Sequence, residues 1–409
     1  MARVSRCCDM KLRLLAIRNR LQLTVADYAS ANTICGGKRM TESRQTVGLC
    51  MIVKNEAPVI ARCLSSVRPI IDHWLIVDTG STDGTQDIVR AAMKDVPGRL
   101  VERPWVDFAH NRSEALALAC ACADFALIID ADDTLAIPAG FVMPALTEDC
   151  YAFDIDFAGC RYHRPQMVSN RLRWVYRGVL HEFLHCDEPF RTGALPLTIR
   201  INTDGARRRS AQTFRRDIEI LQRALRDETD PRLRSRYTFY LAQSHRDCGE
   251  LESALQGYLA RAAMGGWSEE VYVSLYQAAR IMEALGRDDD AVIAAYLRAA
   301  ETAPHRVEAL HGASRLCRLR ERFAQGFDIA ARGLGRPLPR GALFAESWIY
   351  ETGLRDEYAV NAYWTGRYDA CLAACLDILE HEGLSADDRQ RVAANARFAM
   401  EKLKTPVCA

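Results

Sequence analysis

The sequence predicts an α/β domain with a mainly parallel sheet, followed by an all-α domain built from helical repeats. Between residues 48 and 137, short continuous apolar runs alternate with segments whose apolar residues recur at helical spacing. Strands that are apolar throughout are typical of parallel sheets covered by helices on both faces. Beyond residue 214 the helical spacing continues and a pattern containing glycine recurs. A chain of 409 residues is long enough for two such domains.

In the first domain, apolar runs are predicted as strands and the segments between them as helices. Because the runs are continuous and short, they favour buried strands over helices. The predicted strands lie at residues 49–53, 74–77, 99–102 and 125–129, and the predicted helices lie within residues 57–67, 83–93 and 111–122. Later runs are predicted to extend the same sheet with antiparallel strands, at residues 151–157, 172–176 and 197–201.

The second domain is predicted to repeat a two-helix unit. Gly249 and Gly286 lie 37 residues apart (286 − 249), and each is followed by an alanine and a tyrosine at similar spacing. This period is close to the roughly 34 residues of a tetratricopeptide repeat. A later unit has Gly366, whereas the unit at residues 307–334 has Glu321 at the turn, so the array is predicted to be degenerate. Stacked units of this kind bury a shared core and offer a surface for partners.

Composition and charge are those of an ordinary globular protein. Hydrophobic residues make up 49% and charged residues 26%, and the formal net charge is +1. The sequence has no apolar run long enough to cross a membrane. The near-neutral balance argues against nucleic acid as an obligate partner. The 15 cysteines are scattered without metal-site spacing, which predicts free, mostly buried thiols and a cytoplasmic protein.

The first 39 residues differ from the rest of the chain. They carry eight Lys or Arg and two Asp, and their apolar patch is too short for a secretory signal. We predict a disordered basic leader, either native or added by an upstream start, and expect a chain that begins at Met40 to fold and act normally. The predicted division is a leader at residues 1–45, the α/β domain at 46–205, a linker at 206–214, helical repeats at 215–400 and a tail at 401–409.

Acidic residues follow three of the predicted strands. Glu56 comes shortly after the first strand, Asp78 ends the second, and Asp130, Asp132 and Asp133 follow the fourth. Because the carboxyl ends of parallel strands meet at one edge of a sheet, these groups are expected to share a cleft. Clustered carboxylates repel one another unless a cation lies between them, most simply a divalent ion that holds an anionic substrate. A solvated acidic turn is the alternative for the last group taken alone.

Four segments carry a resemblance to a known family. They are residues 49–56 (LCMIVKNE), 76–85 (IVDTGSTDGT), 104–112 (PWVDFAHNR) and 127–133 (LIIDADD). Together they resemble family 2 glycosyltransferases, and most closely the branch in which a GT-A catalytic domain precedes tetratricopeptide repeats. The resemblance covers residues 46–205 and, by architecture only, the helical part. The second and fourth segments, in this order, are the most specific.

The resemblance implies a nucleoside-diphosphate-sugar donor, expected to be a UDP-sugar, and Mn²⁺ or Mg²⁺. It implies that Asp78 contacts the base, that Glu56 and Asp130 lie near the ribose, and that Asp132 ligates a metal bridging the diphosphate. Hard oxygen ligands suit such a cation, which neutralises the departing diphosphate. Arg112 matches a recurring arginine of the family and is expected to contact the nucleotide or its phosphates.

Family 2 enzymes invert the anomeric carbon, so the resemblance also implies a general base that deprotonates the acceptor. Asp133 is one candidate. The other is Glu182, in the segment YRGVLHE at residues 176–182, which resembles a His-Glu motif of this branch. In that segment His181 is expected to ligate the metal or to touch the diphosphate. A surface pair that caps a strand is the alternative for His181 and Glu182.

Two further functions stay open from the sequence. A nucleotidyltransferase on a similar fold would need a loop rich in Gly and Lys or Arg after the first strand, and residues 54–58 (KNEAP) lack it. A non-catalytic repeat scaffold with a degenerate transferase domain is the other, and the intact Asp-Ala-Asp of residues 130–132 argues against it. The acceptor is open between a protein or peptide and a cell-envelope glycan. The repeats are expected either to hold a partner or to form a homodimer.

Overall fold

The structure, a computed structural model, describes residues 44–157, 160–202, 204–205, 212–339 and 341–404. Strands dominate the first half of this part and helices make up the second, which confirms the predicted fold class. All of the predicted leader except residues 44 and 45, and most of the predicted linker, lie outside the described residues, and both stay predictions.

Ten strands and three α-helices form the first half, counted over the described residues. The strands are β1 (Val47–Val53), β2 (His73–Asp78), β3 (Gly98–Glu102), β4 (Phe125–Ile128), β5 (Thr134–Ala136), β6 (Cys150–Phe157), β7 (Cys160–Ser169), β8 (Trp174–Arg177), β9 (Phe183–Cys186) and β10 (Thr192–Arg200). The helices are α1 (Ile60–Val67), α2 (Thr85–Ala92) and α3 (Phe108–Ala119). Eight strands form one sheet in the order β3-β2-β1-β4-β7-β6-β10-β5, in which β3, β2, β1 and β4 run parallel.

Strand β1 shows why both faces of this sheet are covered. Leu49 and Met51 belong to a buried cluster that contains Leu64 of α1. Cys50, which faces the other way, packs in a separate cluster with Leu116 of α3. A strand with apolar side chains on both faces needs a helix on each side of the sheet, as the continuous apolar run predicted.

The later strands differ from the prediction in three ways. The run at residues 172–176 does not extend the main sheet, because β8 pairs with β9 in a separate two-stranded sheet. Strand β10 lies parallel to β6 and antiparallel only to the short β5. Strand β7 was not predicted, and it joins β4 to β6 through antiparallel pairs. A short alternating run gives the face of each side chain but not the partner strand or its direction.

Ten α-helices form the second half, counted over the described residues, and each packs on the next. They are α4 (Thr213–Asp227), α5 (Pro231–Asp247), α6 (Leu251–Ala263), α7 (Ser268–Ala284), α8 (Asp289–Thr302), α9 (Glu308–Leu319), α10 (Phe323–Ala331), α11 (Leu354–Trp364), α12 (Tyr368–Leu379) and α13 (Ala386–Lys404). A π-helical turn at Ile349–Gly353 precedes α11. This succession confirms the predicted helical repeat region.

The turns within the repeats share one geometry. Gly249, Gly286 and Gly366 have φ values of +78°, +65° and +77°, the left-handed conformation that glycine adopts beyond a helix end. In each turn the next amide donates to the carbonyl five residues earlier. Glu321 occupies the same place between α9 and α10, with a φ of +57° and the same hydrogen bond after it. The degenerate unit therefore keeps the turn and lacks only the glycine.

The structure describes the side chains of ten cysteines, which are free thiols and mostly buried. Seven of these ten are buried, which confirms the prediction for this part of the chain. Burial raises the pKa of the Cys50 thiol to about 12 and of the Cys150 and Cys317 thiols to about 11, so these groups stay neutral. Within the described ranges, the chain has no helix whose length and apolar character would let it cross a membrane.

Candidate active site

Acidic residues from three neighbouring strands lie at the carboxyl edge of the sheet. Strands β2, β1 and β4 are parallel neighbours, so their carboxyl ends are side by side. Asp78 is the last residue of β2, Glu56 lies just beyond β1, and Asp130 lies just beyond β4. Crevices at this edge are where open α/β sheets bind ligands.

The loops after β1 and β2 are tied to each other by hydrogen bonds. The Asn55 amide donates to Ser81 Oγ and the Glu56 amide donates to Thr85 Oγ1, both at 2.9 Å. In return, Asn55 Oδ1 accepts from the Thr82 amide at 2.8 Å. The hydroxyl-rich segment after β2 thus fixes the backbone that carries Glu56.

Asp78 is buried, and only one of its carboxylate oxygens is satisfied. Oδ1 accepts from the backbone amides of Gly80 at 2.9 Å and Ser81 at 2.8 Å. Oδ2 is buried and has no hydrogen-bond partner among the described residues. An unsatisfied buried acceptor costs roughly 1–3 kcal/mol, which a ligand that donates a hydrogen bond recovers. Oδ2 is therefore suited to accept from an N–H group of a ligand.

Arg112 joins two acidic groups that are distant in the sequence. Its Nε donates to Glu182 Oε1 at 2.6 Å, and a terminal nitrogen donates to Asp130 Oδ1 at 2.5 Å. Burial alone would lower the pKa of Arg112, but the Asp130 and Glu182 carboxylates outweigh it and raise the pKa above its usual range. The residue is positioned by helix α3, which Asp107 caps by accepting from the His110 amide at 2.7 Å.

The three acids that follow β4 have different surroundings. Burial raises the pKa of Asp130, but pairing with Arg112 outweighs it and lowers the pKa overall. The Asp132 carboxylate lies against Gly205, where no room is left for a Cβ atom. Asp133 is buried and accepts one backbone hydrogen bond at 3.3 Å from the segment after β10. Burial, followed by the charges of Asp130 and Asp132, raises the pKa of Asp133 to about 8.

These carboxylates fit a hard divalent cation that a substrate helps to hold. Within the part of the chain that the structure describes, no three His, Cys, Asp or Glu side chains are arranged to hold a metal by themselves. Mg²⁺ commonly binds through one or two carboxylates together with substrate phosphates. Asp132, which is partly exposed, can supply such a ligand. The predicted metal therefore fits these residues in company with a phosphate-bearing substrate.

The second base candidate lies on the loop between β8 and β9, which we call the HE loop (residues 178–182). Its His181 has a φ of +51°, and the imidazole stacks on the ring of Tyr240 from α5, with centroids 3.8 Å apart and planes within 7°. Glu182, whose side chain is 11% exposed, forms the ion pair with Arg112. The structure thus links Glu182 to Asp130 through Arg112, while the metal role of His181 stays a prediction.

Side chains that the sequence did not single out complete the surroundings. Arg62 of α1 donates to the Asp132 carbonyl at 2.8 Å. Arg164 of β7 is close enough for its charge to act on two of the clustered acids. Tyr176 of β8 lies beside Arg112, whose guanidinium carbon is 5.7 Å from the ring centroid. The two arginines belong to no motif and Tyr176 only opens the YRGVLHE segment, so no signal in the sequence assigned these side chains to the site.

Residues 49–213 match the profile of glycosyl transferase family 2. This segment is a family 2 glycosyltransferase domain. The family 2 domain contains all the predicted site residues, and its matched range ends at the first residue of α4.

Curated relatives resemble parts of the chain. It is 39% identical over 94 residues to a TPR repeat-containing protein of Synechococcus elongatus (23% of this chain, 22% of that protein). It is 34% identical over 91 residues to an uncharacterized glycosyltransferase of Rickettsia felis (22% and 30%). It is 29% identical over 108 residues to the SPbeta prophage-derived glycosyltransferase SunS of Bacillus subtilis (26% and 24%). Each match spans less than a third of the relative's own length.

Solved structures give more distant similarities. A tetratricopeptide repeat protein from Parabacteroides merdae is 18% identical, with a TM-score of 0.35 over 46% of this chain and 68% of that chain. BtubC from P. vanneervenii is 14% identical, with a TM-score of 0.35 over 49% of this chain and 85% of that chain.

Proposed function

We propose that this protein is a metal-dependent, inverting glycosyltransferase that uses a nucleoside-diphosphate-sugar, in the first instance a UDP-sugar. The observation that carries the proposal is the meeting, at one sheet edge, of an unsatisfied buried acceptor and a carboxylate cluster. Asp78 Oδ2 supplies the acceptor and Asp132 belongs to the cluster. One feature suits a nucleotide base and the other suits a cation on a diphosphate. The family 2 domain supports glycosyl transfer as the chemistry.

Donor binding is divided among residues of neighbouring strands. Asp78 Oδ2 accepts from the base, and Glu56 and Asp130 lie near the ribose. Asp132 would hold the cation, which would neutralise charge on the departing diphosphate. Arg112 is already paired with two carboxylates, which favours a role in holding Asp130 in place over a direct contact with phosphate.

The transfer step is a displacement at the anomeric carbon. The acceptor oxygen, or another nucleophile, forms a bond to that carbon while the bond to the diphosphate oxygen breaks. The nucleoside diphosphate leaves with the electron pair, and the acceptor proton goes to a carboxylate. Asp133 and Glu182 are the two candidates for that base. The variants Asp133→Asn and Glu182→Gln identify the base when kcat and nucleotide affinity are measured for each. Loss of the base lowers kcat without weakening donor binding.

Asp132→Asn tests the cation ligand. The variant keeps the size of the side chain and removes the charge, so release of nucleoside diphosphate from UDP-sugars with Mn²⁺ should fall by about a hundredfold or more, given the several kcal/mol that a metal ion supplies. Asp87→Asn is the matched control, because Asp87 is 87% exposed on α2. Turnover at the wild-type rate by Asp132→Asn would contradict the assignment. If the wild type neither turns over common donors nor binds nucleotide, a non-catalytic scaffold is favoured.

The acceptor is tested in the same reaction. Intact-mass analysis after incubation with candidate proteins, peptides and envelope glycans reports addition of one glycosyl unit to the acceptor. We expect modification in one of these two classes, and none with Asp132→Asn.

A further inference from the structure

Helix α5 of the repeat region contacts the HE loop through three side chains. Arg236 Nε donates to the His181 carbonyl at 2.7 Å. The Tyr237 hydroxyl accepts from the Val179 amide at 3.2 Å. The ring of Tyr240 stacks on the His181 imidazole, as described above. Both the backbone and a side chain of the loop are therefore held by a helix from the other half of the chain.

The conformation of His181 requires this support. A residue other than glycine with a φ near +51° is strained by roughly 1–2 kcal/mol. The stack on Tyr240 fixes the imidazole, and the hydrogen bond from Arg236 fixes the carbonyl. Since Glu182 follows directly in the chain, these contacts set the position from which it reaches Arg112.

Arg236 is itself held from two sides. Its guanidinium carbon lies 5.0 Å from the ring centroid of Tyr240 and 5.3 Å from that of Phe183. A terminal nitrogen lies 3.7 Å from Glu270 of α7, which is buried and pairs with the buried Arg261 at 2.9 Å. Breaking the buried Arg261–Glu270 pair would leave an uncompensated charge, so this pair holds Glu270 in place beside Arg236. The support of the HE loop therefore extends into the second helix pair.

We propose that helix α5 is a positioning element of the active site, and that Arg236 and Tyr240 hold Glu182 against Arg112. Glu182 is one of the two candidates for the base, and misplacing a reacting group by about 1 Å can cost a hundredfold in rate. The helical repeats thus act on the chemistry through the HE loop, in addition to any partner that they bind. The effect on turnover rests on the proposed function, whereas the effect on the loop does not.

Two substitutions at one position test the inference. Tyr240→Leu removes the stack while filling part of the space, and Tyr240→Phe keeps the ring. For Tyr240→Leu we expect kcat to fall about tenfold or more, with a smaller change in KM for the nucleotide sugar, because Asp78, Glu56 and Asp132 lie on other loops. Amide hydrogen exchange across the HE loop should become about tenfold faster in the same variant. Tyr240→Phe should resemble the wild type in all three measurements.

Tyr276→Leu is the matched control. Tyr276 is a buried tyrosine of α7 whose hydroxyl donates to Glu346, so its loss removes packing from the repeat region without touching the HE loop. The inference would be overturned if Tyr240→Leu and Tyr276→Leu had the same kcat and the same rate of amide hydrogen exchange in the HE loop. A wild-type protein that transfers no sugar counts against the proposed function, while exchange in the HE loop still decides whether α5 positions it.

Discussion

Arg112 donates a hydrogen bond to Glu182 at 2.6 Å, across 70 residues of sequence. Through its other nitrogen the same guanidinium binds Asp130, so one side chain connects the acid cluster after β4 with the HE loop. A planar fork of donors is what allows arginine to bridge two carboxylates. The relative position of two predicted motifs therefore depends on a single residue of α3.

Arg112→Met should be strongly destabilising, because it leaves the Asp130 and Glu182 carboxylates without their cation. We expect the free energy of unfolding to fall by about 3 kcal/mol, measured by urea denaturation. Arg103→Met is the control, since the Arg103–Glu114 pair has side chains 38% and 30% exposed. That substitution should cost about 1 kcal/mol or less. Equal losses in the two variants would show that Arg112 is not a structural bridge.

Asp78→Asn should change which nucleotide is preferred. Oδ1 accepts from two backbone amides, so the oxygen of the new side-chain amide is expected to take that place and its NH₂ group to replace Oδ2. A uracil N–H would then lose its acceptor, whereas the cytosine ring nitrogen would gain a donor. We expect affinity for UDP to fall about tenfold relative to CDP, measured by calorimetry with Mn²⁺. Parallel weakening of both nucleotides contradicts a contact between this carboxylate and the base.

Glu321→Gly should stabilise the repeat region. Glu321 has a φ of +57° in a turn where three other units have glycine. Relief of the left-handed strain outweighs the extra entropy of an unfolded glycine, so we expect a gain of about 0.5–1 kcal/mol in the free energy of unfolding. Gly286→Ala is the reciprocal control and should lose a similar amount in urea denaturation. A loss of stability in Glu321→Gly would mean that the glutamate side chain contributes more than its backbone strain costs.

His311 should make stability depend on pH. It lies edge-on to Trp348, and burial, followed by the charges of Arg315 and Arg318, lowers the pKa of His311 to about 4, although Glu308 acts in the opposite sense. The unfolded imidazole takes up its proton near pH 6.5 and the folded one only near pH 4. Stability that is fully present above pH 6.5 is therefore lost between these values, by up to about 3 kcal/mol.

His311→Gln removes that titration. The free energy of unfolding at pH 7 minus that at pH 4.5 should be smaller in His311→Gln than in the wild type, measured by urea denaturation at both pH values. Carboxylates titrate in both proteins, so their contribution to the free energy of unfolding cancels when the two differences are compared. An unchanged difference would mean that the pKa of His311 is the same in the folded and the unfolded protein.

The first half of the sheet was predictable because β1, β2 and β4 are continuous apolar runs, a pattern that parallel packing imposes directly. Strand β7 was missed because its ten residues, CRYHRPQMVS, include a proline and several polar side chains. Tertiary contacts determine its pairing with β4 and β6, and they override local propensity. The pairing of β8 with β9 was missed for the same reason, because residues 172–176 have the composition of a sheet strand whichever partner they find.

The acidic residues of the site were predictable from their places after strands, but their partners were not. Asp130 and Asp132 are two residues apart and look alike in the sequence. In the structure Arg112 binds one of them, whereas the other lies against Gly205. Tyr240 could not be found at all, because it lies in a helical repeat and meets His181 only once the two halves of the chain are folded together.

The contacts between helix α5 and the HE loop restrict how the two halves can be recombined. A chimaera that joins residues 49–213 to a foreign repeat array would lose Arg236, Tyr237 and Tyr240, although the junction would fall at the border of the family 2 domain. Because Glu270 of α7 also anchors Arg236, exchange of repeats for new acceptors is better made beyond Thr302, where α8 ends. Grafts placed there leave all the helices that support the HE loop with the catalytic half, as one inherited module.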